Sequence, residues 1–155
     1  MTSGSLQDTY APGSLCFGCG PQNDKGLRIK TFAERDDACV CHWRPEPHHL
    51  AFAGVLNGGV CGVILDCHSN WTAAWHLMRR GQLAAPPCTV TAEFTVRLKR
   101  PTPVDGPLAL LARVVASNAD RATVEAQIAV DGVITATCRG IFVAVKEGHP
   151  AFRRW

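Results

Sequence analysis

The chain is 155 residues long, 46% hydrophobic and 19% charged, enough apolar material for one buried core and too little length for two ordinary domains. A net charge of +3, with no basic run longer than "RLKRP" or "FRRW", does not support nucleic-acid binding but suits a small phosphate-bearing ligand. No apolar stretch approaches the roughly 18 residues of a membrane span and "MTSGSLQDTYAPGSL" lacks the marks of a secretory leader, so the expectation is a cytoplasmic protein without membrane partners.

Residues 1–26, rich in Gly, Pro, Ser and Asn and including "CFGCGPQNDKG", read as a turn-filled arm lying on the domain without building its core. Two short strands follow, "LRIKTFA" at 27–33 and "ACVCHWR" at 38–44, with "ERDD" as the hairpin turn. The prolines of "PEPHHLAFAG" make 45–54 a loop. From Val60 to Met78 the apolar residues Val60, Val63, Ile64, Cys67, Trp71, Ala74, Trp75 and Met78 recur at three- and four-residue steps, one face of a helix. Counted from Asn57, that helix is about 33 Å long and ends at Gly81, before the "APP" of 85–87.

"CTVTAEFTVRLKR" (88–100) alternates, with Cys88, Val90, Ala92, Phe94, Val96 and Leu98 on one side and Thr91 among the polar residues of the other. "LALLARVVASN" (108–118), "RATVEAQIAV" (121–130) and "VITATCRGIFVAV" (133–145) complete an antiparallel meander, with "DG" at 131–132 as a hairpin turn. The eight cysteines fall mostly within these elements and read as buried, reduced thiols.

A lone helix of that length buries its apolar face against the sheet, and strands of about thirteen residues span roughly 43 Å, enough for a twisted sheet to curl around it. The fold class is therefore α+β: a hotdog, a long central helix wrapped by a curved antiparallel sheet. Residues 27–146 form the single domain, 1–26 the arm and 147–155 a C-terminal tail. An open sheet edge favours pairing with a second copy.

With "NGGVCGVILD" in the helix and "CFGCGPQNDKGLRIK" ahead of it, the chain resembles, over nearly its whole length, the hotdog-fold acyl-CoA thioesterases of the phenylacetate-pathway type. In that family a His-Gly-Gly turn opens the central helix, and an acidic residue nine positions after the His is nucleophile or general base. Here Asn57, Gly58 and Gly59 hold the turn and Asp66 stands nine after Asn57, so the spacing agrees while Asn replaces His. The resemblance implies that Thr91 is the hydroxyl on the partner subunit's wall of the site. It places His49, beside His48, where relatives carry a polar residue that contacts the thioester or orients water. It further implies an acyl-CoA substrate and a homodimer or dimer of dimers; the expectation is no metal and no bound cofactor, coenzyme A being part of the substrate.

The motif has its own physical sense. Gly58 and Gly59 lack Cβ atoms and let a thioester approach the backbone, where free N–H groups and the positive end of the helix dipole stabilise a developing oxyanion. Asp66 projects two turns later beside Gly59, Gly62, Ser69 and Ala73, a face of small side chains. There it attacks the carbonyl or deprotonates a water, a choice the sequence leaves open.

Plainer readings stand beside these. By spacing alone Asp66 is a solvated helix aspartate, Asn57 is a good N-cap, Thr91 simply suits a strand, and His48 and His49 are loop residues. Arg97, Lys99 and Arg100 suit the phosphates of coenzyme A or serve solubility at a strand end. Cys16 and Cys19 form a CxxC that Cys39, Cys41, His42, His48 and His49 would complete as a zinc site, but no second well-spaced pair follows. The rival functions are a non-catalytic acyl or acyl-CoA binding protein on the same fold, favoured by Asn57, and a hydratase of enoyl thioesters, which lacks a His suitably placed beside Asp66.

Overall fold

The computed structural model describes residues 3–155. A short helix, α1 (Leu6–Tyr10), starts at Ser5, whose side chain accepts the Asp8 N–H at 3.1 Å. The first hairpin joins β1 (Phe32–Arg35) to β2 (Ala38–Trp43). The strand expected from residue 27 thus begins only at Phe32. Arg28 adopts φ 52°, which breaks an extended run, and the backbone there pairs with the arm instead: Leu27 N–H donates to Phe17 C=O at 2.8 Å and Ile29 N–H to Gly18 C=O at 3.1 Å.

The loop expected at 45–54 also contains more order than its prolines suggest. A 3₁₀ turn at Pro47–His49 leads into a small ribbon of β3 (Leu50–Phe52) and β4 (Val55–Leu56), reversed at Gly54 with φ 80°, a conformation that favours glycine. The long helix, α2 (Gly58–Gly81), follows with Asn57 as its N-cap. It ends on Gln82 in the left-handed region at φ 51°, one residue beyond the glycine expected to stop it.

β5 (Thr89–Leu98), β6 (Leu108–Ser117), β7 (Arg121–Val130) and β8 (Val133–Ala144) form the meander, turning at Asp131 and Gly132, both with positive φ. The six-stranded sheet has the order β1-β2-β6-β7-β8-β5, antiparallel between every pair of neighbours. α2 packs across β2, β5, β6, β7 and β8, the hotdog arrangement expected. β5 is left at an edge, with β8 on one side.

Two expectations about packing are corrected. The small residues Ser69 and Ala73 do not form an open face around Asp66; both are fully buried, and Ser69 Oγ lies 3.5 Å from Cys138 Sγ on β8. Small side chains here let helix and sheet approach closely. Part of the apolar stripe turns instead toward the arm, where Gly18 lies directly over Val63 and Cys67. The arm therefore builds core: Leu6, Ala11 and Cys19 are all buried in it.

A buried polar chain ties this second layer down. Gln7 Nε2 donates to Thr31 Oγ1 at 3.0 Å, and Gln7 Oε1 accepts the Thr31 N–H at 2.8 Å. Thr31 Oγ1 meets His68 Nδ1 at 3.0 Å, and His68 Nε2 meets Cys39 C=O at 3.2 Å. A carbonyl only accepts, so Nε2 carries the proton and Nδ1 accepts from the threonine. Complete burial holds the imidazole neutral, its pKa pushed down to about 4. No helix among the described residues is long and apolar enough to cross a membrane.

Candidate active site

The turn before α2 is held from two sides. Asn57 N–H donates to His49 C=O at 3.0 Å, and Leu56 N–H to Thr102 C=O at 2.9 Å. The Asn57 side-chain oxygen then accepts both the Gly59 N–H, at 2.8 Å, and the Val60 N–H, at 3.2 Å. Of the two glycine amides expected to face a ligand, Gly59 is thus engaged by its own cap. Gly58 N–H has no hydrogen-bond partner among the described residues. A Cβ on Gly58 would stand 2.8 Å from Leu98 Cδ1, so the end of β5 borders this amide.

Two turns along, Asp66 is half-buried and accepts a hydrogen bond from Thr91 Oγ1 at 2.7 Å on Oδ1. Its Oδ2 has no protein partner among the described residues. Burial raises the carboxyl pKa; the Thr91 bond pulls the other way, Cys16 adds to the rise and Arg154 opposes it. The contact with Thr91 is within one chain, so Thr91 stands on the same wall as Asp66 and not opposite it.

A bulge in β5 brings Thr91 there. The pairing with β8 slips between Thr91 and Glu93, leaving Ala92 unmatched. Thr91 therefore lies opposite the buried Phe142, while beyond the bulge Phe94 lies opposite Gly140 and Val96 opposite Cys138. Directly paired residues share a face, so Thr91, Phe94 and Val96 all look toward the helix. Simple alternation put Thr91 on the other side; the extra residue shifts the phase.

Asp66 and Thr91 line a cavity of about 140 Å³ with Cys16, Cys19, Cys67 and Trp71. Part of its wall comes from Arg154 and Trp155. Trp155 stacks on Trp71 with centroids 4.5 Å apart, its Nε1 donates to Pro86 C=O at 3.3 Å, and an Arg154 guanidinium N–H donates to Thr89 C=O at 2.9 Å. Neither tail residue was expected at the site; the "RRW" of 153–155 combines an aromatic and a charge, but nothing in a terminal tripeptide says where it docks.

Three cysteines border the same cavity. Cys16 Sγ lies 3.7 Å from Cys67 Sγ, and hydrogen bonds from Cys19 and Cys67 hold the Cys16 thiol well below its usual pKa while those two are held above theirs. All eight cysteines are free.

The other expected residues lie elsewhere. His49 Nδ1 accepts the Glu46 N–H at 2.9 Å and its ring rests 5.2 Å from Trp43, which makes it a brace for the turn before α2; His48 is exposed. Lys99 and Arg100 are exposed just beyond Leu98, at the Gly58 end of the helix, anchored through their backbone N–H groups to Thr135 C=O. Arg97 pairs with Thr137 and lines a shallow concavity of about 650 Å³ on the outer face of the sheet, with Arg113, Glu125 and Arg139. The sheet separates it from Asp66. That larger concavity holds an Arg139–Glu125 ion pair.

No family model and no curated protein matches the sequence; solved structures match the fold. A thioesterase superfamily protein superposes with TM-score 0.69 at 22% identity over 83% of this chain, which spans 62% of that protein's length. A thioesterase superfamily protein from Shewanella loihica gives TM-score 0.68 at 24% identity, covering 90% of this chain and 99% of its own. The E. coli PaaI protein from the phenylacetic acid degradation operon gives 0.68 at 16%, covering 81% and 88%. A hypothetical thioesterase from Streptococcus pneumoniae, crystallised with coenzyme A, gives 0.64 at 14%, covering 76% and 85%. In fold, then, the chain is a hotdog protein of the kind found in thioesterase superfamily structures and in the E. coli PaaI protein.

Proposed function

We propose that the protein hydrolyses acyl-CoA thioesters at a composite site shared by two copies of the chain. The observation that carries this reading is Asp66: a half-buried carboxylate pinned through one oxygen by Thr91, its other oxygen left to a cavity, on the same helix as the Gly58 amide, which has no partner among the described residues. Asp66 stands eight positions after Gly58 on the helix, or about 12 Å along it at 1.5 Å per residue. One carbonyl cannot touch both within a chain, whereas a second copy packed about a twofold axis can present its Asp66 to the first copy's Gly58.

In that arrangement the thioester oxygen accepts the Gly58 N–H, and the positive end of α2 stabilises the charge that develops there. Asp66 of the other copy then follows one of two courses. As nucleophile it displaces the coenzyme A thiolate, which takes a proton from solvent, and the resulting anhydride is cleaved by water. As general base it removes a proton from the water that attacks the carbonyl directly, and the coenzyme A thiolate leaves as the C–S bond breaks, taking a proton from Asp66 or solvent. Lys99 and Arg100, at the Gly58 end, suit the phosphates of coenzyme A; the coenzyme A bound in the S. pneumoniae structure is in keeping with such a ligand on this fold.

A thiol-release assay across short, long, branched and aromatic acyl-CoAs tests the reading. Asp66→Asn is expected to abolish release while the circular-dichroism spectrum and oligomer size stay unchanged; retained turnover overturns it. The occupied Gly59 amide favours one alternative, a binder of acyl-CoA without turnover, which the same panel would reveal as saturable affinity with no thiol released.

A further inference from the structure

We propose that Cys16, Cys19 and Cys67 form a binding site for one soft divalent cation, zinc foremost, with the fourth coordination position open to the cavity that Asp66 lines. The three sulfurs all lie within 4.8 Å of one another, although Cys67 comes from the middle of α2 and the other two from the arm. Zinc binds thiolates tetrahedrally at about 2.3 Å, which sets the sulfur–sulfur edge near 3.8 Å; Cys16 and Cys67 stand 3.7 Å apart.

The backbone around the pair is shaped for this convergence. Gly20 N–H closes the turn on Cys16 C=O at 2.8 Å, and a Cβ on Gly20 would lie within 2.4–2.7 Å of Cys16 and Ser14 backbone atoms. A Cβ on Gly18 would lie 2.4 Å from Cys67 Sγ. Both glycines are thus required by close approach, and what that approach achieves is the meeting of three thiols.

Two other readings fit less well. A redox CxxC sits at a helix N-terminus with one exposed thiolate, whereas this one lies in a run of turns and faces a third sulfur. The ligands suggested by sequence, Cys39 and Cys41, are buried on β2, where Cys39 contributes its carbonyl to His68. The structure replaces them with Cys67. Soft thiolates select zinc over calcium or magnesium, and binding would release the thiol protons to solvent. The fourth position falls to water or to a ligand entering the cavity, as in sites with three protein donors.

The test uses full-length protein, reduced and stripped with a chelator, titrated with Co²⁺ and then Zn²⁺. One equivalent of Co²⁺ per chain is expected, with the thiolate charge-transfer band and visible bands of a tetrahedral site, lost on adding Zn²⁺. Cys19→Ser and Cys67→Ser should each abolish the spectrum and Cys88→Ser should keep it. Cys16→Ser, at a less buried position, guards against misfolding of the other two: it should keep the native circular-dichroism spectrum yet lose both the cobalt bands and the rise in Tm that Zn²⁺ gives the parent chain. The proposal is overturned by a folded, reduced protein that develops no saturable spectrum, by a spectrum that survives Cys16→Ser, or by a native mass two hydrogens short that maps to a disulfide within the trio. The readout is a spectrum and not turnover, so this proposal and the thioesterase reading stand or fall separately.

Discussion

Asn57 shows how one side chain divides the work of a helix start. Its oxygen satisfies Gly59 and Val60, so the proposed mechanism draws on Gly58, whose N–H has no partner among the described residues. Gly58→Pro isolates that donor, because proline is favoured at the first helical position and removes only the N–H. Asn57, at φ −58° and ψ 131°, already has the extended conformation that a following proline requires, and the near atom is the end of the flexible Leu98 side chain. Turnover should fall by about 10²–10³ with helicity unchanged in the circular-dichroism spectrum; an unaffected rate would remove Gly58 from the mechanism. Thr91→Val keeps shape but deletes the bond to Asp66, and kcat/KM should fall about tenfold, equivalent to about 1.4 kcal/mol. The Asn-Gly-Gly turn and Asp66 were legible in the sequence because a single helix sets their spacing. The orientation of Thr91 was not, since an extra residue in β5 changes the side on which every later side chain emerges. Arg154 and Trp155 were not legible either, because their place depends on the whole tertiary structure.

α2 is the element on which the rest converges. The 3.6-residue period revealed it and its start, but periodicity says that a face is apolar, not what covers it. The structure covers it twice, with the sheet on one side and the arm on the other. The arm escaped notice because its contribution rests on a few residues, Leu6, Gln7 and Cys19, scattered among turns with no period to mark them. Gln7 is the polar centre of that layer, fully buried and hydrogen-bonded twice to Thr31. Gln7→Ala leaves the Thr31 N–H without its acceptor and should destabilise the fold by about 1–3 kcal/mol. Thermal unfolding should show this as a Tm lower by several degrees, whereas Gln22→Ala, in an outer turn of the same arm, should change it little. A Tm unaffected by Gln7→Ala would mean that the arm merely rests on the domain, as composition first suggested.

For the molecule as a whole, the architecture was readable from alternation and tight turns because antiparallel neighbours in the meander are also neighbours in sequence. Pairing of copies, which an open sheet edge already suggested in the sequence, is part of the proposal; the edge position of β5 and the separation of Gly58 from Asp66 support it. Complementation tests it directly. Gly58→Pro chains, strongly impaired alone, and Asp66→Asn chains, inactive alone, should together regain about half the parental activity per mixed dimer, since one of its two composite sites keeps both parts. No recovery in mixed dimers would confine the site to one chain. The enclosure of α2 also has a consequence for how the native state opens. Residues 68–75 of the helix are buried on every side, so their amides can exchange with deuterated water only after a neighbouring layer lifts away. The meander is bound by long hydrogen-bonded ladders and the arm by a few turns, so the arm is the layer that detaches first. Deuterium should enter residues 5–31 early, then the middle of α2, and the β6–β8 ladder last.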